Sequence, residues 1–164
     1  MTVVHHTTKF GPTLDPRYGS SEIDCRGAGL RAYTRSLATV IAVSGNIDAS
    51  NAGVVRETAS RFLYVDKAVI LDLSNTNSFG VQGLQFLFAF DDECAEAGVE
   101  WALVAGPAVS VTLAAADHND TYPLVSSVDQ ALQRFSHPER RCALLELVTN
   151  TTRAAVKPPS PADN

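Results

Sequence analysis

Nucleophilic catalysis needs a Ser or Cys, a base within reach and a third group that orients the base. Four histidines are available as that base: His5, His6, His118 and His137. His5 and His6 lie in an aperiodic N-terminal stretch, and His137 opens the C-terminal tail. His118 stands alone in a polar turn, where a solvated surface role is the ordinary one. No G-x-S-x-G elbow presents a serine. The three cysteines, Cys25, Cys94 and Cys142, are widely separated and odd in number, which fits reduced thiols better than a disulfide framework. Neither a CxxC nor an HxxxH spacing occurs, so no metal site is expected, and no cofactor. The acidic run Asp91-Asp92-Glu93 falls mid-helix, where successive side chains point about 100° apart; it reads as a solvated face rather than an acid–base pair. Asp72, near the end of an apolar strand, reads as a turn cap or a support for a loop. No catalytic set can be assembled, and an enzyme is not expected.

The stretch with the most to offer is LDLSNTNSFGVQGLQFLFAF, Leu71 to Phe90. An apolar strand, Val69 to Leu73, stops at a polar turn and restarts as a helix from about Gln82. Strand-to-helix junctions of this kind carry nucleophiles, phosphates or partner contacts in many α/β proteins. The turn holds the hydroxyls of Ser74, Thr76 and Ser78, yet its last four residues are Gly80-Val81-Gln82-Gly83. They contain no hydroxyl to modify and no Lys, so this is not a phosphate-binding P-loop. On a helical wheel Gly83, Leu87, Phe90, Cys94 and Ala97 form the core stripe. Val81 and Phe88 fall well to one side, with Leu84 between them and the core. That apolar shoulder is either covered by a neighbouring helix or the C-terminal tail, or it is a partner surface.

The elements that must position this junction follow from periodicity and turn chemistry. Leu30–Thr34 and Thr39–Ser44 are short apolar stretches split by Arg35-Ser36, a hairpin-like pair of strands. Gly45-Asn46-Ile47-Asp48 then turns the chain, and Asn51 caps a helix over Ala52–Tyr64 with Val55, Ala59 and Phe62 on its buried face. Val69–Leu73 is apolar except for Asp72, as a strand covered on both faces should be. The next helix runs to Ala97 and is closed by Gly98. Trp101–Ala105 is a strand, and Gly106-Pro107 opens a helix through Asp117. A short strand near Tyr122–Val125 precedes a last helix from about Ser127 to Phe135. Alternating strands and helices predict an α/β domain with a mostly parallel central sheet of about four to five strands flanked by about four helices. The expected organisation is a loose arm over residues 1–28, the domain over 29–135 and an extension over 136–164. In that extension Cys142, Leu145 and Val148 share one helical face, and the Pro-rich end reads as disordered.

Composition bounds the partners. The chain has 164 residues, 45% hydrophobic and 19% charged, which is enough for one domain with a real core. Its net charge of −5 and lack of a basic cluster argue against direct nucleic-acid binding. No apolar run reaches the roughly 18–20 residues of a membrane span, and the N-terminus lacks a signal-peptide pattern, so a cytoplasmic protein is expected.

Taken in order, these pieces resemble the STAS domain, the fold of bacterial anti-sigma factor antagonists, from roughly Leu30 to Phe135. Gly45-Asn46-Ile47-Asp48 is similar to the family's G-E-[LI]-D turn, and Val69-Ile70-Leu71-Asp72-Leu73-Ser74 to its V-V-L-D-L-S strand. Gly83-Leu84, the helix ending at Gly98, Val104 to Pro107 and Val125 to Leu132 follow in the family's order. In that family the junction commonly reads D-S-S-G, and its first Ser or Thr is phosphorylated by an anti-sigma kinase. Here Gly80-Val81-Gln82-Gly83 keeps only the final Gly. The resemblance therefore implies a non-enzymatic transcription regulator that binds an anti-sigma factor or a related kinase-like ATPase, or other STAS proteins. It also implies that the usual switch is missing, because Val81 cannot take a phosphate. The partner surface it implies comprises Asp48, Gly80, Val81, Gln82, Leu84 and Phe88, with Ser74, Thr76 and Ser78 as shifted phosphosites. Two alternatives stay open: a ligand- or nucleotide-sensing domain, and a structural subunit of a larger STAS assembly.

Overall fold

The computed structural model describes residues 21–64 and 66–136. Among them the chain forms β1 (Ile23–Asp24), β2 (Ala28–Thr34), β3 (Ala38–Ile47), α1 (Ala52–Ser60), β4 (Ala68–Phe79), α2 (Val81–Ala97), β5 (Trp101–Ala105), α3 (Pro107–Ala115), β6 (Leu124–Val125) and α4 (Val128–Ser136). The six strands make one sheet in sequence order. β1, β2 and β3 pair antiparallel, whereas β3 to β6 pair in parallel, each connection carrying a helix as parallel neighbours require.

The sheet separates two apolar layers. On one face Leu30, Ala32, Ile41, Val43, Val69, Leu71 and Leu73 pack with Val55, Ala59 and Phe62 from the α1 region. Phe86, Leu87, Phe90 and Cys94 of α2 and Val109 and Leu113 of α3 complete that layer. On the other face Ala38, Val40, Ile70, Ala102 and Val104 lie with Ala131 of α4. The continuous Val69–Leu73 run is thus explained: alternate side chains enter different layers, and each fully buried Leu or Ile contributes roughly 1.5–3 kcal/mol.

Several expectations need correction. The polar turn after Leu73 is strand: β4 continues to Phe79, in register with β3 up to Ile47↔Phe79. Two irregularities, opposite Ala42/Ser44 and Gly45/Asn46, each insert one extra residue into β4. They break the period-two pattern, so Thr76 and Phe79 are buried three residues apart and the segment reads as a loop. Gly45 to Ile47 likewise belongs to β3, and the chain turns only at Asp48. The sheet also starts inside the expected arm, where Ile23 pairs with Leu30 and Cys25 is wholly buried.

Helix ends shift as well. α1 stops at Ser60, and Phe62 N and Leu63 N donate to Ala59 O and Ser60 O in a tighter final turn. On α2 the buried stripe includes Phe86, which the wheel left out. The acidic run is only partly solvated, since Trp101 Nε1 donates to Asp91 at 2.8 Å and Arg56 pairs with Glu93 at 2.8 Å. The extension's expected short helix, His5, His6 and His137 lie outside the described residues.

Candidate functional site

The register Ile47↔Phe79 brings two strand-to-helix junctions side by side. Asp48 leaves the end of β3 and Gly80 leaves the end of β4, on parallel neighbours spaced about 4.8 Å. Ligands and partners of open α/β sheets meet the chain at these carboxyl ends of the strands.

The β3–α1 junction is laced by side chains. Ser50 donates from its backbone N–H and its hydroxyl to Asp48 Oδ1, at 2.8 and 2.6 Å. These bonds stabilise the carboxylate and hold the Asp48 pKa below its ordinary value. Asn51 occupies the cap position, but its side chain does not cap the helix. It turns back instead: its Oδ1 accepts from Asp48 N at 3.0 Å, and its Nδ2 donates to Asn46 O at 2.8 Å and Arg26 O at 3.4 Å. Buried Asn51 therefore ties the end of β3 to the loop between β1 and β2.

The β4–α2 junction is bare by contrast. Gly80 begins the helix in an extended conformation with no side-chain cap, and the first turn carries no acidic residue. Packing fixes it. A Cβ on Gly83 would lie 2.6 Å from the Phe79 ring, so the retained glycine lets that ring fold under the first turn. Thr112 of α3 donates its hydroxyl to Phe79 O at 2.6 Å, anchoring the strand end from the other side. Val81 stands on top, 64% exposed.

The two flanks of α2 differ. Toward α1, Ala49, Ala52, Gly53, Gln82, Phe86 and Ala89 line an open groove of about 230 Å³. Arg56 and Gln85 also border it, and Arg56 is held by Glu93, which takes a second bond from the Ser60 hydroxyl. Toward α3, Leu84 leans on the core while Phe88 remains 42% exposed. The Phe88 ring meets His118 edge-on at 5.1 Å and Tyr122 at 5.8 Å. Burial, and secondarily the negative charge of Asp91, push the Tyr122 phenol up to about 12.

The expected site residues are thus partly united. Asp48, Gly80, Val81 and Gln82 share the edge formed by the two junctions, and Phe88 lies two turns along the Val81 crest. Leu84 is half-buried and leans away from the groove. Of the three upstream hydroxyls, Ser74 and Ser78 are exposed, whereas Thr76 is buried with its hydroxyl 3.5 Å from Val43 O. The groove residues Ala49, Gly53 and Ala89 were not foreseen. Their signal is small side chains where the turn before α1, α1 itself and α2 come together, which leave space where larger ones would meet.

Comparison with known proteins matches the STAS domain over residues 30–131, more than half of the chain. Osmosensory protein A of Mycobacterium tuberculosis is 35% identical over 157 residues, spanning 92% of this chain and 99% of that protein. A crystal structure of an anti-sigma factor antagonist from Mycobacterium paratuberculosis shares the fold, with a TM-score of 0.60 at 24% identity over 66% of this chain and 94% of that one. An anti-sigma factor antagonist domain from Planctomyces limnophilus gives a TM-score of 0.53 at 18% identity, over 65% and 97%. The chain belongs to the STAS domain family.

Proposed function

We propose that this chain is a non-enzymatic regulator of transcription that acts in the cytoplasm by binding a protein, an anti-sigma factor or a related kinase-like ATPase. Its docking surface is the edge of Asp48, Gly80, Val81 and Gln82, continued along the crest to Phe88 with Leu84 behind it. The observation that carries this reading is Val81, a branched apolar residue 64% exposed on an uncapped helix start, next to an open groove. A solvated helix start favours Ser, Thr, Asp or Asn before it and acidic residues within it. This one has neither, and its apolar crest suits a dry contact.

The same residue removes the switch expected at this place. Val81 accepts no phosphate, so the surface stays competent for its partner at all times. Ser74 and Ser78 are the exposed hydroxyls that a kinase would reach first. The mycobacterial relative's name supports osmotic change as the first stimulus to apply.

The test is affinity capture on the immobilised full-length chain, with a Val81→Asp variant in parallel and retained proteins identified by mass spectrometry. A kinase-like ATPase held by the wild type and lost by the variant is the expected result. Equal retention by both, or stoichiometric phosphate on Ser74, Thr76 or Ser78 after incubation with that ATPase and ATP, would overturn the constitutive reading.

A further inference from the structure

Charge is divided unevenly along the chain. From Ala68 to Gln133 there are nine Asp or Glu residues and no Lys or Arg. α2 carries its share at the unfavourable end. Asp91, Asp92, Glu93 and Glu96 all lie in its second half, with no acidic residue in the first turn and no basic one in the last. The helix dipole favours the reverse arrangement, because it puts partial negative charge at the C-terminus. Two of the four carboxylates are compensated within the fold: Asp91 accepts from Trp101 Nε1, and Glu93 pairs with Arg56. Asp92 and Glu96 are exposed and form no ion pair among the described residues.

Asp92 stands one turn beyond Phe88 on the same face of α2. His118, which meets the Phe88 ring edge-on, lies in a turn with Asp117 and Asp120. Both are exposed, and neither forms an ion pair among the described residues. A half-exposed aromatic ring therefore has carboxylates near it on two elements and no Lys or Arg on either. The neighbouring α3 is uncharged from Pro107 to Ala115 and leaves Val111 70% exposed. This unpartnered surface is apolar at its centre and negative at its margin. It repels nucleic acid and anionic lipid alike. A planar guanidinium suits it best, since it stacks on an aromatic ring and pairs with a carboxylate at once, whereas an ammonium is held mainly by its charge.

We propose that the Phe88 end of the crest receives a basic amphipathic segment of the protein partner, with an arginine stacked on the Phe88 ring and paired with a neighbouring carboxylate. This rests on the docking reading, to which it adds the chemistry of the partner. The two ends of the crest work differently. Val81 lies about 10 Å from Phe88 along the helix, beyond the screening length of about 8 Å at physiological salt. Cations bound at Phe88 thus leave the Val81 contact dry and a charge placed there uncompensated.

The test is a titration of the ¹⁵N-labelled full-length chain with a synthetic amphipathic helix whose leucine stripe is flanked by arginines. The amide resonances of Phe88, Asp92 and His118 are followed, and peptides with lysine or glutamate in place of arginine are the controls. Saturable shifts at these amides are expected, with binding several-fold weaker for lysine and lost for glutamate. Asp92→Asn combined with Asp117→Asn should weaken binding about five- to tenfold, and the melting temperature should hold or rise. Should that variant fail to fold, raising salt from about 0.05 to 0.5 M should produce a comparable loss in the unaltered chain. Shifts that do not saturate, equal binding of the glutamate peptide, or an affinity indifferent to both the carboxylates and salt would overturn the proposal. So would resonances of Phe88 and His118 that move in Arg140→Glu/Arg141→Glu without peptide, which would make the chain's own C-terminal segment the occupant, or that move with protein concentration, which would make it a second copy. With the captured ATPase the two readings fail separately. Weakening by Val81→Asp but not by the carboxylate variant defeats the basic-segment proposal and leaves the docking edge standing; the converse defeats the edge at Val81 alone.

Discussion

The two junctions at the carboxyl edge of the sheet are a few ångströms apart and are built in opposite ways. At β3–α1, Asp48, Ser50 and Asn51 satisfy the turn with five side-chain hydrogen bonds, one of them reaching back to Arg26. At β4–α2 no side chain caps the helix, and the geometry rests on the Phe79 ring beneath Gly83 and the Thr112 hydroxyl on the Phe79 carbonyl. One junction is closed by its own polar groups. The other is held from below and leaves its upper surface, Val81 included, exposed. Rigidity and exposure are thus divided between neighbours: the laced turn fixes the edge, and the bare one presents Val81 at the surface.

Breaking the lacing should have the largest effect on the fold. Asn51→Ala leaves Asp48 N–H and Asn46 C=O without their buried partner, so a loss of about 2–3 kcal/mol is expected in urea unfolding. Gly83→Val attacks the other junction through packing. Its side chain enters the space of the Phe79 ring at a helix position, and about 2 kcal/mol of destabilisation should follow. Phe88→Ala sharpens the contrast between frame and surface. The ring is 42% exposed but retains edge contacts with His118 and Tyr122, so about 1 kcal/mol is expected rather than the 3–5 kcal/mol typical of a core Phe.

The smallest effect concerns charge at the laced turn. The two Ser50 hydrogen bonds lower the Asp48 pKa. A carboxylate depressed on folding contributes stability that is present above its unfolded value of 3.8 and is lost as pH falls through the folded value. Ser50→Ala removes the hydroxyl bond, so the Asp48 titration followed by NMR should move back up toward 3.8. An unchanged titration would show that the backbone bond alone holds the carboxylate.

Much of this contrast was legible in the sequence. The alternation of Leu30–Ser44, the apolar Val69–Leu73 run and the Gly98 helix end each obey local rules, and their elements fall where expected. The family-like segments also fixed the order of the elements. What could not be read were features made by tertiary contact. Thr76 and Phe79 look like loop residues because two bulges shift their period, and only pairing with β3 reveals them as strand. Asn51 has the right type and place for a cap, yet its amide finds three better partners in Asp48, Asn46 and Arg26. Asp91 and Glu93 resemble a solvated run until Trp101 and Arg56 arrive from other elements. Phe86 escaped the wheel because α1 packs against that flank of α2 and widens its buried arc beyond a single stripe.

The central claim is that the bare junction is the docking surface and that Val81 keeps it open. Val81→Asp tests it most directly. An acidic residue in the first turn of a helix stabilises by roughly 0.3–1 kcal/mol, so the melting temperature should hold or rise. A dry contact that must bury the new charge should lose about 2 kcal/mol or more, about a thirtyfold weakening. Calorimetric titration of the captured ATPase into both proteins, with melts on the same samples, gives the two numbers. A folded Val81→Asp protein with the affinity at least thirtyfold lower is the predicted result; a folded variant with unchanged affinity would contradict the account and move the docking surface away from α2.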